Sequence, residues 1–443
     1  MNLDAVVARI TPTPMEREAE AKLLERIIDL LKPYPVEPVI VGSYAKDTDL
    51  SGNKDLDVFI QFKASTSRQE LETEGLRIGK DVLSKLGVEY EIDYAEHPYV
   101  KGTLREHTIE IVPCYMGAGI MSAVDRTPMH TSYVRSRITG TGLNREIRLL
   151  KQFMRGISVY GAEAKVEGFS GYLVELLTIR YDSFIQALEA AMSWRTPIVL
   201  DIEGLWDDPT ALPKFFPNAG LIVVDPVDRT RNVAAAVSRE CLSKFQLKAH
   251  EYVLQPSEEF FFPTPKPVRK AQDLREALEA RGSRFMAVVF SHGKLNANTL
   301  YSQLKKTVKS VSAEFKENEF RVFRSAVWTN ERDISALLFE FEDWQLPELV
   351  HRLGPPIDAD PANQEKFNEK YAGERPYVMD DRWVVDARRR HRTPDSLLEV
   401  VLAERRGFGK NLRGLGKPAV MQDSAVLEVD GQEWLRFLGD YLG

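Results

Sequence analysis

The residues best placed to do chemistry are Val41-Gly42-Ser43 and, after eleven intervening residues, Asp55-Leu56-Asp57-Val58. Side chains alternate across a strand, so Asp55 and Asp57 share one face while Leu56, Val58 and Ile60 line the other. The pattern predicts a carboxylate face backed by a hydrophobic one. A Gly-Ser turn beside it suits a phosphate, because glycine lets the backbone approach closely while backbone N–H groups and the Ser43 hydroxyl remain free to donate. A lone D-x-D is common on solvated strands. Glycine, serine and both aspartates at fixed spacing arise by chance at only roughly 10⁻⁵ per starting position. In His107–Pro113, β-branched alternation predicts a second strand, with Ile109 and Ile111 on one face and Glu110 on the other. Pairing it with the first would set Glu110 beside Asp55 and Asp57. Two like charges about 4 Å apart cost on the order of 4 kcal/mol at an effective dielectric of about 20, so such a cluster calls for cations or a shifted pKa. All-oxygen ligands favour magnesium, and two ions bridged by carboxylates activate an attacking hydroxyl and steady a leaving pyrophosphate.

Positioning these residues needs elements that the sequence also marks. Thr13-Pro14-Met15-Glu16 reads as a capping box opening a helix, with Ala19, Leu23, Ile27 and Leu30 on one face. A helix at about 68–86 and strands near 88–94 and 107–112 complete an α/β head. From Asn144 the pattern turns helical, with Ile147, Leu150 and Met154 spacing a core face, and Tyr172–Leu188 is long and apolar. The β-branched run Leu221–Val224 then delivers Asp225, Asp228 and Arg231. Beyond it we expect a helix at 271–281, strands near 284–290, 320–328 and 334–342, a helix at 345–353, and a loop or mobile insertion over 355–375. The fold class is α+β and multidomain: an α/β head over 1–140, a mainly helical region over 141–260, and a mixed C-terminal region over 261–443.

Composition bounds the function. A chain of 443 residues can bury several cores. Two cysteines, Cys114 and Cys241, exclude a disulfide framework and a multi-cysteine zinc site and suit a reducing cytosol. No apolar run reaches spanning length and Asp4 interrupts the start, so no membrane or secretory segment is expected. The net charge of −7 does not favour RNA, but local patches decide binding. Residues 266–309 carry ten Lys/Arg against three acids, and 381–417 ten against five, so the C-terminal half has the charge to hold a phosphate backbone.

The Gly-Ser turn, D-x-D and later strand carboxylate resemble the nucleotidyltransferase superfamily of DNA polymerase beta. The stretches GSYAKDTDLSGNKDLDVF, YAEHPYVKG, EIVPCY, DRTPMHTSYV, REIRLLKQFMRGISVYGAEAKVEGFSGYLVELL and VVDPVDRTRNVAAAVS resemble the archaeal-type, class I CCA-adding tRNA nucleotidyltransferases over about residues 1–260. The resemblance implies a polymerase-beta-like head, with Asp55, Asp57 and Glu110 as catalytic and metal-holding residues for Mg²⁺. It implies that Gly42, Ser43, Lys46, His130, Lys151 and Tyr160 hold a triphosphate, that Arg231 reads the base with Thr127 nearby, and that Tyr94, Ala95 and His97 abut the RNA 3′ end. On residue type alone, His130 reads as structural, Lys151 as snorkelling and Tyr160 as a packed aromatic. The implied reaction is addition of C, C and A to the tRNA 3′ end from CTP and ATP, in a cytoplasmic homodimer that clamps the acceptor stem. A poly(A) or oligoadenylate polymerase, or a non-catalytic RNA-binding relative, shares the head motifs. Three positions depart from the family pattern: Lys46 stands where many relatives have arginine, and the carboxylate set runs Asp55, Asp57, Glu110 where relatives commonly place glutamate first and aspartate last.

Overall fold

The reciprocal cap expected at Thr13 and Glu16 is formed: the Thr13 hydroxyl accepts from the Glu16 N–H at 3.2 Å and the Glu16 carboxylate accepts from the Thr13 N–H at 2.7 Å. The same carboxylate accepts from the Ser51 hydroxyl at 3.1 Å and the Gly52 N–H at 3.0 Å, tying the segment before the D-x-D to the helix start. These bonds, the Thr13 N–H first, hold Glu16 at about 2. In the computed structural model, which describes every residue except Ala95 and Ala118, the first part of the chain runs α1 (Leu3–Ile10), α2 (Pro14–Leu31), β1 (Glu37–Val41), α3 (Gly42–Lys46), β2 (Asp55–Phe62), α4 (Arg68–Lys85), β3 (Tyr90–Tyr94), β4 (Pro98–Leu104), β5 (His107–Tyr115), α5 (Arg126–Ile138), α6 (Leu143–Gly156), α7 (Gly171–Tyr181) and α8 (Phe184–Ser193).

Five strands form one mixed sheet in the order β1-β2-β5-β4-β3, parallel only between β2 and β5. Alternation sorts its faces. Leu56, Val58, Ile60, Ile109 and Ile111 are buried against α2 and α4. The buried line on α2 passes through Leu24, Ile27 and Leu31, flanked by Leu23 and Leu30, whereas Ala19 is exposed. The line continues towards the helix start through Glu20, which Arg17 binds at 3.4 Å, so an ion pair takes the place expected of Ala19. The expected strand near 88–94 is Tyr90–Tyr94; β4, absent from the sequence reading, lies between it and β5.

A second core joins α1, α6, α7, α8 and the helix Arg239–Leu254 around Phe153, whose ring meets Phe184, Phe245, Tyr252 and Phe261 edge-on. Leu150 and Met154 are buried there as their spacing predicts, and Ile147 is buried in an adjoining cluster with Val134, Ile138 and Ile179. The long apolar segment is two helices, broken where Asp182 adopts a left-handed conformation and Ser183 caps α8. Leu221–Asp225 and Asp228–Asn232 form a hairpin, flanked by the short strand Ile198–Leu200. All of this belongs to one compact unit, Met1–Pro265; Lys266–Gly443 forms a second.

In the second unit an antiparallel sheet runs Val322–Thr329, Ile334–Phe341, Arg284–Ser291, Ala419–Gln422. The helix Ala297–Glu317 covers one face; Ala271–Ala280 and Gln432–Leu442 cover the other. Two expectations fail here. The segment read as a helix at 345–353 is the strand Leu349–Pro356, paired antiparallel with Arg382–Arg388. Its Leu349 and Leu353 mimic helical spacing but stand exposed on either side of buried Val350, and Pro355-Pro356 favours extended backbone. The stretch read as a loop, 355–375, contains the helix Pro361–Lys370, started by proline at its first position and an Asp360 side chain that accepts from the Ala362 N–H at 2.9 Å.

Candidate active site

The parallel register of β2 and β5 sets Asp57 directly beside Glu110, with Asp55 two positions back on the same face. β4 adds Lys101 opposite Glu110 in the antiparallel register, and the two side chains pair at 3.0 Å. Asp57 lies against the Gly-Ser turn: Gly42 has φ +76°, and a Cβ at this position would collide with the Asp57 carboxylate, so both conformation and space demand glycine. Burial, with Glu110 and then Asp55 adding repulsion, pushes Asp57 up to about 7. The carboxylate face therefore holds an acid whose charge is not yet compensated.

Opposite this floor, helices supply a wall. Glu175 on α7 is fully buried; it accepts from Lys46 at 2.5 Å, Lys151 at 2.9 Å and the Thr48 hydroxyl at 2.6 Å. Burial alone would raise its pKa, but the Lys151 and Lys46 ammonium groups outweigh it and hold Glu175 at about 2. α6 also places Arg148 on the loop after α3, where it donates to the Asp49 carbonyl at 2.8 Å. Between floor and wall lies a cavity of about 390 Å³. Its basic and acidic side chains are equal in number, with Lys46, Lys101, Lys151 and Arg155 against Asp55, Asp57, Glu110 and Glu175, and Ser43, Asn53, Tyr160 and Tyr172 complete the polar lining. Burial pushes Tyr160 up to about 12, so its phenol remains a donor, and Arg155 stands over its ring at 5.4 Å.

A second buried carboxylate, Asp225 at the end of its strand, gathers three other groups. Its Oδ2 accepts from His130 Nε2 at 2.9 Å and Arg231 Nη1 at 2.8 Å, and its Oδ1 accepts from the Tyr172 hydroxyl at 3.1 Å. Burial opposes its ionisation, but the His130 bond, with the Val227 N–H and Arg231, holds it below the usual carboxylate range. His130 stacks on Tyr172 with ring centroids 3.9 Å apart, and Tyr172 lines the cavity. Burial lowers the His130 pKa against the pull of Asp225, so the ring is neutral near pH 7, with its proton on the nitrogen facing the carboxylate.

Three family models match: "nucleotidyltransferase domain" over residues 20–128, "tRNA nucleotidyltransferase, second domain" over 145–262, and "CCA-adding enzyme, C-terminal domain" over 281–418. The CCA-adding enzyme of Methanothermobacter thermautotrophicus is 35% identical over 92% of this chain and 88% of its own length. That of Methanosarcina barkeri is 38% identical over 89% and 87%, and that of Archaeoglobus fulgidus 37% over 86% and 83%. The chain belongs to the CCA-adding enzyme family. Among solved structures, the Cid1 poly(U) polymerase with magnesium and 3′-dATP aligns at TM-score 0.47 and 15% identity, covering 58% of this chain and 96% of that one.

In this family member the structure brings together Gly42, Ser43, Lys46, Asp55, Asp57, Glu110, Lys151 and Tyr160 around one cleft. His130 and Arg231 meet on Asp225, beside the cleft wall. Thr127 lies one turn before His130 on α5, its carbonyl accepting from the Thr131 hydroxyl at 3.0 Å. Of the three residues matched to the RNA end, two are described and they differ in exposure. Tyr94 is 74% exposed, Ala95 lies outside the described residues, and His97 is 1% exposed, with Nδ1 3.2 Å from a Glu72 oxygen and its ring edge-on to Tyr115.

The sequence reading missed Lys101, Glu175, Tyr172 and Asp225. Glu175 had a signal, a single acid inside an apolar helical run; Lys101 sat on the strand that was not foreseen. Among the described residues, no three His, Cys, Asp or Glu side chains are gathered tightly enough to hold an ion as they stand, and Glu110 is paired with Lys101. The donor set nevertheless suits a hard divalent cation: oxygen only, on adjacent strands in register, with an Asp57 whose ionisation needs a compensating charge. No helix among the described residues is long and apolar enough to cross a membrane. In the basic runs, part of the charge is internal: Arg281 pairs with Glu340 at 2.7 Å and Arg389 with Glu319 at 2.7 Å, while Lys306 and Lys309 are exposed on one helix.

Proposed function

We propose that this protein adds C, C and A to the 3′ end of tRNA from CTP and ATP, releasing pyrophosphate, in a single cleft. The observation that carries the reading is the β2–β5 register, which pairs Asp57 with Glu110 beside a turn that only glycine fits. Asp55, Asp57 and Glu110 would hold magnesium, which when bound activates the attacking hydroxyl and neutralises the leaving pyrophosphate. The charge balance of the cleft supports this: four basic side chains face four acidic ones, with Asp57 partly protonated near pH 7, so the lining offers a triphosphate little net positive charge and it must bring its own cations.

The chain's own residues supply the rest. Ser43, Lys46 and Tyr160 line the cleft with the donors a triphosphate needs, Lys151 adds its charge to the lining beside them, and His130 lies behind the cleft, stacked on Tyr172. Arg231, 36% exposed and bound to Asp225 through one terminal nitrogen, keeps donors for a base edge that cytosine and adenine share, with Thr127 near it. Tyr94 at the end of β3 abuts the RNA 3′ end; Ala95 and His97 follow it in sequence. The catalytic head spans 1–140, the neck 141–260, and the body and tail 261–443 hold the acceptor stem through phosphates and 2′ hydroxyls. Family resemblance supports a cytoplasmic homodimer.

The test is to give purified protein tRNAs ending before, within and after CCA, each nucleotide separately, with and without magnesium, and to size the products. Stepwise addition that stops after A, and needs both CTP and ATP, is expected. Open-ended A addition without use of CTP would instead make it a poly(A) polymerase, and no transfer at all a binding protein.

A further inference from the structure

Glu175 stands in an apolar helix, yet side chains from two other segments converge on its carboxylate. Lys46 ends α3, Lys151 lies on α6 and Thr48 sits in the loop after α3. A buried carboxylate that only fastened helices together would have no need of two ammonium groups beside a ligand cavity, since apolar residues of similar volume stabilise as well or better. The two lysines are also used differently. Lys151 spends all three N–H donors inside the protein, on Glu175 Oε1 at 2.9 Å, the Thr48 carbonyl at 3.1 Å and the Thr48 hydroxyl at 3.0 Å. Lys46 spends one, on Glu175 Oε2 at 2.5 Å, and lines the cavity beside Ser43 with two to spare.

We propose that Glu175 is a positioning residue for the phosphate chain, locking Lys151 as an internal brace and aiming Lys46, the ammonium with free donors, at the phosphates. The proposal rests on the reading that this cleft takes a nucleoside triphosphate. It also has a sign that simple electrostatics does not share. Removing a negative charge from the wall of an anion site should tighten anion binding through charge alone. If Glu175 works by holding Lys46 in place, removing its charge weakens binding instead.

Glu175→Gln keeps the shape and the acceptor oxygen while removing the charge. Calorimetric titration of the full-length protein with inorganic tripolyphosphate and with ATP, in magnesium, reads the effect, and thermal melting reports the fold. Both affinities should fall by about tenfold, the scale of one charged hydrogen bond, with the KM for ATP and CTP rising in step and kcat moving less. A folded Glu175→Gln protein that binds tripolyphosphate as well as or more tightly than wild type overturns the proposal. Should Glu175→Gln not fold, Lys46→Met decides, since it leaves Glu175 paired with Lys151 and Thr48: a similar loss for tripolyphosphate supports the proposal and an unchanged affinity overturns it. Wild-type protein that binds neither tripolyphosphate nor ATP would overturn the triphosphate reading, and the proposal with it.

Discussion

The floor and the wall of the cleft use the same chemical group in opposite ways. On the floor, Asp57 is held up at about 7 by burial and by its neighbours Glu110 and Asp55. In the wall, Glu175 is buried at least as deeply but sits at about 2, because two ammonium groups and a hydroxyl already satisfy it. Burial therefore does not decide what a carboxylate does; its partners do. The wall is complete before any ligand arrives, whereas the floor is complete only with a cation. On this account, changes to the floor should cost chemistry and spare the fold, and changes to the wall should cost both.

The largest expected effect is on the floor. Asp57→Ala should lower transfer on the order of 10⁴-fold at saturating nucleotide, because it removes stabilisation specific to the transition state. Its melting temperature should hold or rise, since the variant also removes an unfavourable buried charge. Near-normal turnover in magnesium would break the distinction between floor and wall. Next comes the wall: Glu175→Ala strands two buried ammonium groups and should destabilise the protein by about 3–5 kcal/mol in denaturant unfolding. A loss under about 1 kcal/mol would mean that the wall is no more organised than a surface ion pair.

A smaller effect is expected at Arg231, the proposed base reader. Arg231→Ala leaves Asp225 bound to His130 and Tyr172, so the fold should hold while discrimination against UTP and GTP drops by about 1–3 kcal/mol. Wild-type selectivity in single-turnover incorporation of the four nucleotides would move the base reader elsewhere, to Thr127 or the RNA.

The smallest effect, and the most diagnostic of the floor, is with pH. Because the folded pKa of Asp57 is raised to about 7, its ionisation opposes folding, and this cost grows as pH climbs from the ordinary carboxylate range through 7. Magnesium needs the ionised form. The half-saturating magnesium concentration for transfer should therefore rise by up to about tenfold per pH unit below 7, the limit for one displaced proton. Glu175 and Glu16 run the other way: both are lowered to about 2, so their stabilisation is full near neutrality and is lost only as pH falls from the ordinary glutamate range towards 2. A magnesium requirement flat between pH 6 and 8 would contradict the raised Asp57.

The floor was legible in the sequence because it is local. Alternation within β2 and β5 fixes which side chains share a face, and Gly42 precedes the D-x-D by a short, fixed span. The wall was not, because its bonds join residues far apart: Glu175 lies 129 positions from Lys46, and Asp225 lies 95 from His130. The apolar run around Glu175 marks it as an isolated acid, but nothing local says which partners it awaits. The same limit explains the C-terminal errors. Leu349 and Leu353 have helical spacing, and the partner strand Arg382–Arg388, together with Pro355-Pro356, makes their segment extended. The 21-residue helix Ala297–Glu317, which covers one face of the second unit's sheet, also went unread; its apolar positions Leu300, Leu304, Val311 and Phe315 are separated by a lysine-rich stretch that drew attention to charge instead.

The central claim is that one acidic floor serves every addition, and Asp55→Asn tests it most directly. Asp55 shares the face of Asp57, and its replacement by asparagine removes the charge of one proposed metal ligand while keeping the shape. The measurement is single-turnover incorporation of CMP and of AMP on tRNA acceptors lacking the whole CCA, its last two residues or its last residue, with wild type and variant compared under identical magnesium. Both nucleotides should slow by the same factor on every acceptor. A variant that loses C addition while keeping A addition, or the reverse, would contradict a single floor and require a second catalytic centre.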